Sequence, residues 1–276
     1  MEIVISRYNE DLTWVTDLAH KVSNALLAQD VKFTIYNKGS AAITKSLENI
    51  ENVDIIDLPN VGVCDHTYLH HIVHRYDTLT SSTMFLPGSA YKDILKRERL
   101  NVLLKKMFKS LKKSNREEIT AVISMPSFLR YAYVEFSKTK QIDKYECSDV
   151  RNRDGSQVIT LSEVRPFGAW YDKYLKTELG PIKNVSLKGM FIAGREKLLK
   201  RSHLFYKTLL DLVDKDRFPE ASHFVERSWH SIIQPTEKEE ISLIFAVPYM
   251  KQSIACILLF IVLIALCIVF FAKPTS

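Results

Sequence analysis

Short apolar runs and helical patterns alternate along the first third of the chain. Two runs rich in β-branched residues, Glu2 to Ser6 and Val31 to Tyr36, predict buried strands. Apolar residues recur at helical spacing between them, at Trp14, Val15, Leu18, Val22 and Leu26. Two more strands are predicted at Val53 to Leu58 and Thr83 to Leu86, with a helix at Thr67 to Tyr76 between them. Elements that alternate in this order predict a mainly parallel, layered sheet.

A long basic helix is predicted from Tyr91 to Ser114. Its apolar residues recur at helical spacing, at Ile94, Leu95, Leu100, Leu103, Leu104, Met107, Phe108 and Leu111. Nine lysines and arginines fall among the remaining positions, so one face is expected to pack and the other to be strongly basic. Three interpretations of the basic face stay open: a solvated surface, contact with anionic lipid headgroups along residues 91–114, or a site for acidic partners.

Two further patterns complete the globular part of the chain. The stretch from Arg195 to Asp214 predicts a second clear helix, and the composition of Asn152 to Gln157 predicts a loop. The elements together predict an α/β fold, a single layered α/β/α domain over residues 1–235, followed by a juxtamembrane linker at 236–252.

The segment from Ser253 to Ala272 has 20 residues without a charge. At about 1.5 Å per residue a helix of that length spans about 30 Å, which is the thickness of the hydrocarbon core of a bilayer. It therefore predicts one transmembrane helix at 253–272, with a short tail at 273–276.

The position of this predicted helix suggests its topology. The chain begins MEIVISRYNED, which lacks the apolar region of a signal peptide, and Lys273 to Ser276 follow the apolar segment. We therefore expect a single-pass tail anchor with the N-terminal domain in the cytosol. The membrane at 253–272 is the first expected partner.

Cysteine content and charge narrow the class of protein. Outside the apolar segment the chain has Cys64 and Cys147, too few for a disulfide framework and compatible with a reducing compartment. The formal net charge is +6, a modest excess that suits a membrane surface as well as nucleic acid, so the charge alone does not identify the partner. Nucleic acid is not an expected partner.

Polar side chains follow the first predicted strand. Arg7, Asn9, Glu10 and Asp11 come directly after it, at the edge of the sheet where open α/β folds bind ligands. These four residues are predicted to bind the cofactor or donor. For Asn9 and Asp11 the alternative stays open that they cap the helix that follows.

A second polar cluster combines an amide with histidines. Asn60 follows the third predicted strand, and His66, His70 and His74 are spaced four residues apart on one helix face. This helix lacks the glutamate of a zinc-protease motif, and the chain has no pair of carboxylates at a strand end, so no metal site is predicted. Asn60, His66 and His70 are instead predicted to line the cleft and bind its ligand.

Acid and base candidates come from a third cluster, Phe224 to His230. Glu226 and His230 lie beside Trp229 and are predicted as the catalytic acid or base. The alternative is an amphipathic helix whose Trp229 belongs to the core. The chain has no glycine-rich phosphate loop and no nucleophile elbow.

Several motifs in one order resemble a family of uncharacterised proteins of eukaryotes and large viruses. The similarity covers most of Ile3 to Ile233 and rests on Ile3 to Trp14, Tyr36 to Gly39, Leu58 to Gly62, His66 to Val73, Phe85-Leu86, Arg165 to Phe167, Trp170-Tyr171, Gly189 to Phe191, Phe205-Tyr206 and Glu226 to Trp229. That family looks similar to glycosyltransferases of the A-type fold, which are α/β/α domains that bind nucleotide sugars. The resemblance therefore implies a nucleotide-sugar donor.

The chain departs from the family pattern at Val63, Cys64 and Pro87, where polar residues are expected. These changes remove polar groups near the predicted cleft. Two functional hypotheses follow. The first is a membrane-anchored glycosyltransferase-like protein that transfers a sugar from a nucleotide-sugar donor. The second is a non-catalytic, tail-anchored interaction protein that keeps the fold and contacts anionic lipid.

Overall fold

The computed structural model describes residues 1–25, 31–41, 43, 47, 50, 52–112, 118–125, 141–147 and 159–242. The predicted loop at 152–157 and the predicted transmembrane helix at 253–272 lie outside these residues. Within them, no helix combines the length and the apolar character needed to cross a bilayer.

The described residues form one seven-stranded sheet with the order β3-β2-β1-β4-β6-β5-β7. Its strands are β1 (Glu2–Arg7), β2 (Lys32–Asn37), β3 (Val53–Asp57), β4 (Ser82–Pro87), β5 (Ala121–Ser124), β6 (Ser186–Gly194) and β7 (Glu240–Ser242). The β1–β2, β2–β3, β1–β4 and β5–β7 pairs are parallel, and β6 runs antiparallel to both of its neighbours, β4 and β5. The prediction of a mainly parallel sheet is therefore confirmed.

Helices cover both faces of the sheet, which gives the α/β/α layering. They are α1 (Thr13–Ala25), α2 (Val63–His74), α3 (Ile94–Leu111), α4 (Phe167–Tyr174), α5 (Lys176–Leu179), α6 (Arg195–Leu199), α7 (His203–Val213) and α8 (Glu220–Ile233). Successive residues of β1 point to opposite faces, so Val4 joins the core under α2, α4, α7 and α8. Its neighbours Ile3 and Ile5 join the core under α1 and α3.

The first four strands begin and end within about one residue of their predicted bounds. The prediction was wrong for two helical stretches. The stretch after Gly194 is two helices instead of one, because the Ser202 side chain accepts a hydrogen bond from the backbone N–H of Phe205 and caps a new helix. Ile94 and Leu95 are exposed, although their spacing predicted that they would pack.

The topology places several strand ends at one edge of the sheet. The carboxyl ends of the parallel strands β1, β2 and β4 meet there, as do the ends of β5 and β7. Since β6 is antiparallel, its first residues reach the same edge. Helices α2 and α3 begin beside this edge, after β3 and β4 respectively. It is called the cleft edge below.

Candidate functional site

A cavity of about 470 Å³ opens at the cleft edge. Its walls come from the ends of β1 and β4, the starts of α2 and α3, the start of β6, the loop before α8, and α8 itself. The lining residues are Ser6, Tyr8, Glu10, Lys38, Asn60, Val63, Cys64, Pro87, Ser89, Lys92, Asp93, Lys96, Lys188, Arg217, Phe218 and Glu226. Cavities that hold small ligands have volumes of about 300–1,000 Å³, so a ligand of nucleotide size fits.

Five cationic side chains from separate parts of the chain surround this cavity. They are Lys38 after β2, Lys92 and Lys96 at the start of α3, Lys188 in β6, and Arg217 in the loop before α8. The Lys96 ammonium donates to Ser89 Oγ at 2.8 Å, and the Arg217 guanidinium stacks 4.8 Å above the Tyr8 ring. Against three carboxylates in the lining (Glu10, Asp93 and Glu226), these five cations leave the cavity net positive, at five minus three.

Lys38 is the most buried of these cations, with 7% of its surface exposed. Its ammonium donates to the backbone carbonyls of Val61 and Val63, at the turn that leads into α2. Burial away from water disfavours the charged form and lowers the pKa of Lys38 to about 8. The nearby Cys64, Asp65 and Asp214 side chains oppose this lowering of the pKa.

Two left-handed turns, one at the start of α2 and one inside β6, lie beside the cavity. Gly62 and Val63 have φ of +58° and +52°, and Lys188 and Gly189 have φ of +72° and +58°. A left-handed conformation is strained for a β-branched residue such as Val63. A Cβ on Gly189 would lie 3.0 Å from Cys64 Sγ, so the two turns approach closely. Strained backbone of this kind concentrates at ligand sites.

Glu226 is held in a fixed position on the wall formed by α8. Its Oε1 accepts a hydrogen bond from the backbone N–H of Lys188 at 2.7 Å, and its Oε2 lies 3.4 Å from Arg227 Nη1. Below it, the buried Asp65 accepts a hydrogen bond from Trp229 Nε1 at 2.8 Å. Burial, and then the charge of Glu226, raise the pKa of Asp65 to about 8.

Trp229 itself is fully buried, and its indole packs at a tilt against the Phe191 ring, with the ring centroids 4.9 Å apart. The interpretation of the third cluster as a helix with Trp229 in the core is therefore confirmed. Glu226 nevertheless reaches the cavity from the same helix.

Arg7, Asn9 and Asp11 lie near the cleft but outside the lining of this cavity. The buried Arg7 guanidinium donates to Asn37 Oδ1 at 2.6 Å and to the backbone carbonyls of Ala41 and Glu10, so it ties the end of β1 to β2. Asn9 Oδ1 accepts from the Ala41 backbone, and the Asp11 carboxylate accepts from the N–H and hydroxyl of Thr13. Asp11 thus sits at the start of α1, as the capping alternative predicts.

A second cavity of about 460 Å³ adjoins the first, and Asn9 and Asp11 line this one. Tyr8, Glu10, Ser89 and Lys92 belong to both cavities. Its other wall is aromatic, because the Trp14 and Tyr91 rings stack with centroids 6.4 Å apart. Of the four residues predicted to bind the donor, Glu10 therefore lines both cavities, Asn9 and Asp11 line the second, and Arg7 lines neither.

The predicted histidines lie behind the cleft wall. His66 is buried, and its Nε2 lies 3.0 Å from Asp214 Oδ1. His70 packs 5.9 Å from the His66 ring and 5.7 Å from Tyr36. Burial lowers the pKa of both histidines to about 4, so both are neutral at pH 7. In the described ranges no group of three His, Cys, Asp or Glu side chains is placed to hold a metal ion.

His230 also lies away from the cavity, with its Nε2 3.3 Å from Glu240 Oε2 in β7. Burial lowers its pKa. Of the residues predicted from the sequence, the cavity brings together Glu10, Asn60 and Glu226.

The sequence prediction of the site did not include its cations. Lys92 and Lys96 were assigned to the basic face of a helix, and Lys38 belongs to the family motif Tyr36 to Gly39 but was given no role. Position at a strand end was the available signal for Lys38, because strand ends converge in this fold. Lys188 and Arg217 had no such signal, since β6 was not predicted.

Comparison with known proteins adds little to this geometry. No protein-family model matches the chain, and no curated protein matches it. Two solved structures of the galactosyltransferase LgtC, one in complex with donor and acceptor sugar analogs and one of an active-site mutant, align with 88% of this chain. They do so over 73% and 72% of their own lengths, at 10% sequence identity and a TM-score of 0.35. Similarity at this level defines neither family nor function.

Proposed function

We propose that the 470 Å³ cavity binds the diphosphate of a nucleotide sugar and that the chain is a glycosyltransferase-like protein. The observation that carries the proposal is the set of five cations around one cavity at the carboxyl ends of parallel strands. Lysine and arginine side chains form charge-assisted hydrogen bonds with phosphate oxygens, which are the strong ones among protein hydrogen bonds. In open α/β sheets this edge is also where ligands bind.

The transfer reaction would use Glu226. In it, the bond between the sugar C1 and the diphosphate oxygen breaks, and C1 forms a bond to an acceptor hydroxyl oxygen. The nucleoside diphosphate leaves with the electron pair, and the acceptor proton passes to the Glu226 carboxylate. The cations then stabilise the charge that develops on the leaving diphosphate.

A second candidate function is ligand binding without transfer. Val63, Cys64 and Pro87, the three positions where the chain departs from the family pattern, all line the cavity. Both Glu226 oxygens are also engaged by donors of the protein, which weakens a carboxylate as a base. In this second candidate function the cavity binds the anionic ligand, but the chain does not catalyse transfer.

Both candidate functions require that the chain binds a nucleotide sugar. Calorimetric titration tests this, with the full chain in detergent and UDP-, GDP- and CMP-sugars as ligands, with and without Mn²⁺. We expect saturable binding of at least one donor. Binding of none, under either condition, would overturn the proposal. Formation of a glycosylated product or free sugar from a bound donor separates transfer from binding alone.

A pair of lysine variants makes the test specific for the cavity. Lys92→Met with Lys96→Met removes two cations of the lining, and each lost charged contact is expected to weaken binding about tenfold or more. Lys105→Met with Lys109→Met removes the same charge from exposed positions of the same helix, away from the cavity. Equal weakening by both pairs would mean that general charge attraction, rather than this cavity, holds the ligand.

A further inference from the structure

An exposed apolar patch lies at the mouth of the cleft. Among the described residues, eight large hydrophobic side chains are exposed, and three of them fall within five positions: Tyr91 (47%), Ile94 (44%) and Leu95 (45%). The segment from Tyr91 to Arg97, called the lip below, links the end of β4 to the first turn of α3. Ile94 and Leu95 begin α3, but neither side chain belongs to the packed cores.

The lip is also basic. Lys92, Lys96 and Arg97 against Asp93 give it a net charge of three minus one. The Asp93 carboxylate is occupied as a cap, since it accepts a hydrogen bond from the Lys96 backbone N–H. The Arg97 guanidinium lies 5.4 Å from the Tyr91 ring. Apolar side chains flanked by cations and an aromatic ring are the composition of a segment that lies in the headgroup region of an anionic membrane.

The last strand that the structure describes, β7, ends at the same edge of the sheet as β4, which precedes the lip. Strand β7 is parallel to β5, and β5 runs in the same direction as β4, so Ser242 ends β7 at the cleft edge. Three strand spacings separate β7 from β4, which is about 14 Å. The ten residues 243–252 can extend over at most about 35 Å before the apolar run that begins at Ser253.

We infer that the lip is a membrane-contacting surface: Ile94 and Leu95 enter the headgroup region of an anionic bilayer, and the mouth of the cleft lies at the bilayer surface. This inference does not depend on what the cavity binds. It narrows the surface predicted from the sequence, because among the described residues 91–112 the exposed large hydrophobic side chains occur only in the lip. A substrate held in the membrane would then reach the cavity without leaving the bilayer.

Depth-dependent fluorescence quenching tests the inference on the full chain reconstituted in vesicles of phosphatidylcholine and phosphatidylserine. Ile94→Trp places a reporter on the lip. Leu204→Trp is the matched control, because Leu204 is 69% exposed but lies at the end of α7 that is away from the cleft edge. The other end of that helix, at Val213, packs beside Gly62 at the cleft edge. Emission of the native tryptophans is subtracted with the unsubstituted chain.

Lipids brominated on the acyl chain near the headgroup are expected to quench the Ile94→Trp reporter several-fold more than the Leu204→Trp reporter. The difference should shrink when phosphatidylserine is replaced by phosphatidylcholine, since the lip is basic. Equal quenching of the two reporters, or no quenching at position 94, would overturn the inference, and the latter would point to a protein or solvent-facing surface. Circular dichroism of both variants checks that each is folded.

Discussion

The ammonium group of Lys38 donates a hydrogen bond to the backbone carbonyl of Val63, a β-branched residue held at φ +52°. A buried cation thus stabilises the strained turn that starts α2 and forms one wall of the cavity. The same ammonium group lines the cavity, so one residue both shapes the site and gives it charge.

The burial of Lys38 predicts a pH dependence. Its pKa in the folded chain is about 8, below the value of 10.5 expected when unfolded, so the unfolded chain binds more protons between these values. Stability therefore rises with pH across that window, by up to on the order of 3 kcal/mol. Denaturant titrations at pH 8 and pH 10 should show this rise in the unsubstituted chain and lose it in Lys38→Met. Lys105→Met, at an exposed position, should keep it.

The burial of Asp65 predicts that stability changes with pH in the opposite direction, and over a lower pH range, from the change predicted for Lys38. Burial raises the pKa of its carboxyl to about 8 in the folded chain, against 3.8 in the unfolded one. The folded chain then binds more protons, and this contribution to stability falls as the pH rises from about 4 to 8. In Asp65→Asn the amide stays neutral and still accepts from Trp229, so the variant should gain stability relative to the unsubstituted chain as the pH rises.

The free energy of unfolding of both chains, measured at pH 5 and pH 8, checks the Asp65 prediction. Contributions of the buried histidines cancel in the comparison, because both chains carry them. Asp211→Asn is the control, since Asp211 is an exposed partner of Lys207. A difference between Asp65→Asn and the unsubstituted chain that does not change with pH would contradict a protonated Asp65.

Two glycines with the same φ allow steric clash to be separated from backbone strain. Gly62 and Gly189 both have φ +58°. A Cβ on Gly62 would lie 2.5 Å from the Val213 carbonyl oxygen, which is backbone, whereas on Gly189 its nearest neighbour is Cys64 Sγ at 3.0 Å. We expect Gly189→Ala to cost about 1–2 kcal/mol and Gly62→Ala clearly more, as measured by urea unfolding. Equal losses would mean that the end of α7 at Val213 yields to the added methyl group.

The early strands and the late ones differ in how far the sequence predicts them. β1 to β4 are short runs of β-branched residues with helical patterns between them, so local periodicity identifies each one. β5 and β7 have only four and three residues, and β6 carries Lys188 and Gly189 in left-handed conformations inside the strand. Such strands are specified by their neighbours in the sheet, and no local pattern marks them.

The same contrast applies to the candidate site. Glu10 and Asn60 follow predicted strands, so their meeting at one edge follows from the topology of a parallel sheet. Lys188 and Arg217 reach the cavity through an antiparallel strand and a loop before α8, and their places depend on long-range packing. His66 and His70 were predicted for the cleft by their spacing, but spacing alone does not distinguish the face of α2 that meets α7 from the face that meets a ligand.

Glu226 and His230 were predicted together as acid or base, and the structure gives them different surroundings. Glu226 lines the cavity, whereas His230 faces Glu240 in β7. If the chain transfers sugar, Glu226→Gln should lower kcat by about 100-fold or more and leave donor binding nearly unchanged. The glutamine keeps an oxygen that accepts from the Lys188 N–H, so the wall of the cavity is preserved.

His230→Gln is the matched comparison, one turn further along α8, and it should keep both transfer and binding. Donor affinity by calorimetry and initial rates at saturating donor measure the two effects separately. Loss of binding in Glu226→Gln would assign Glu226 to positioning of the ligand. If His230→Gln lost transfer while Glu226→Gln kept it, the chemistry would have to take place outside this cavity, because His230 does not line it.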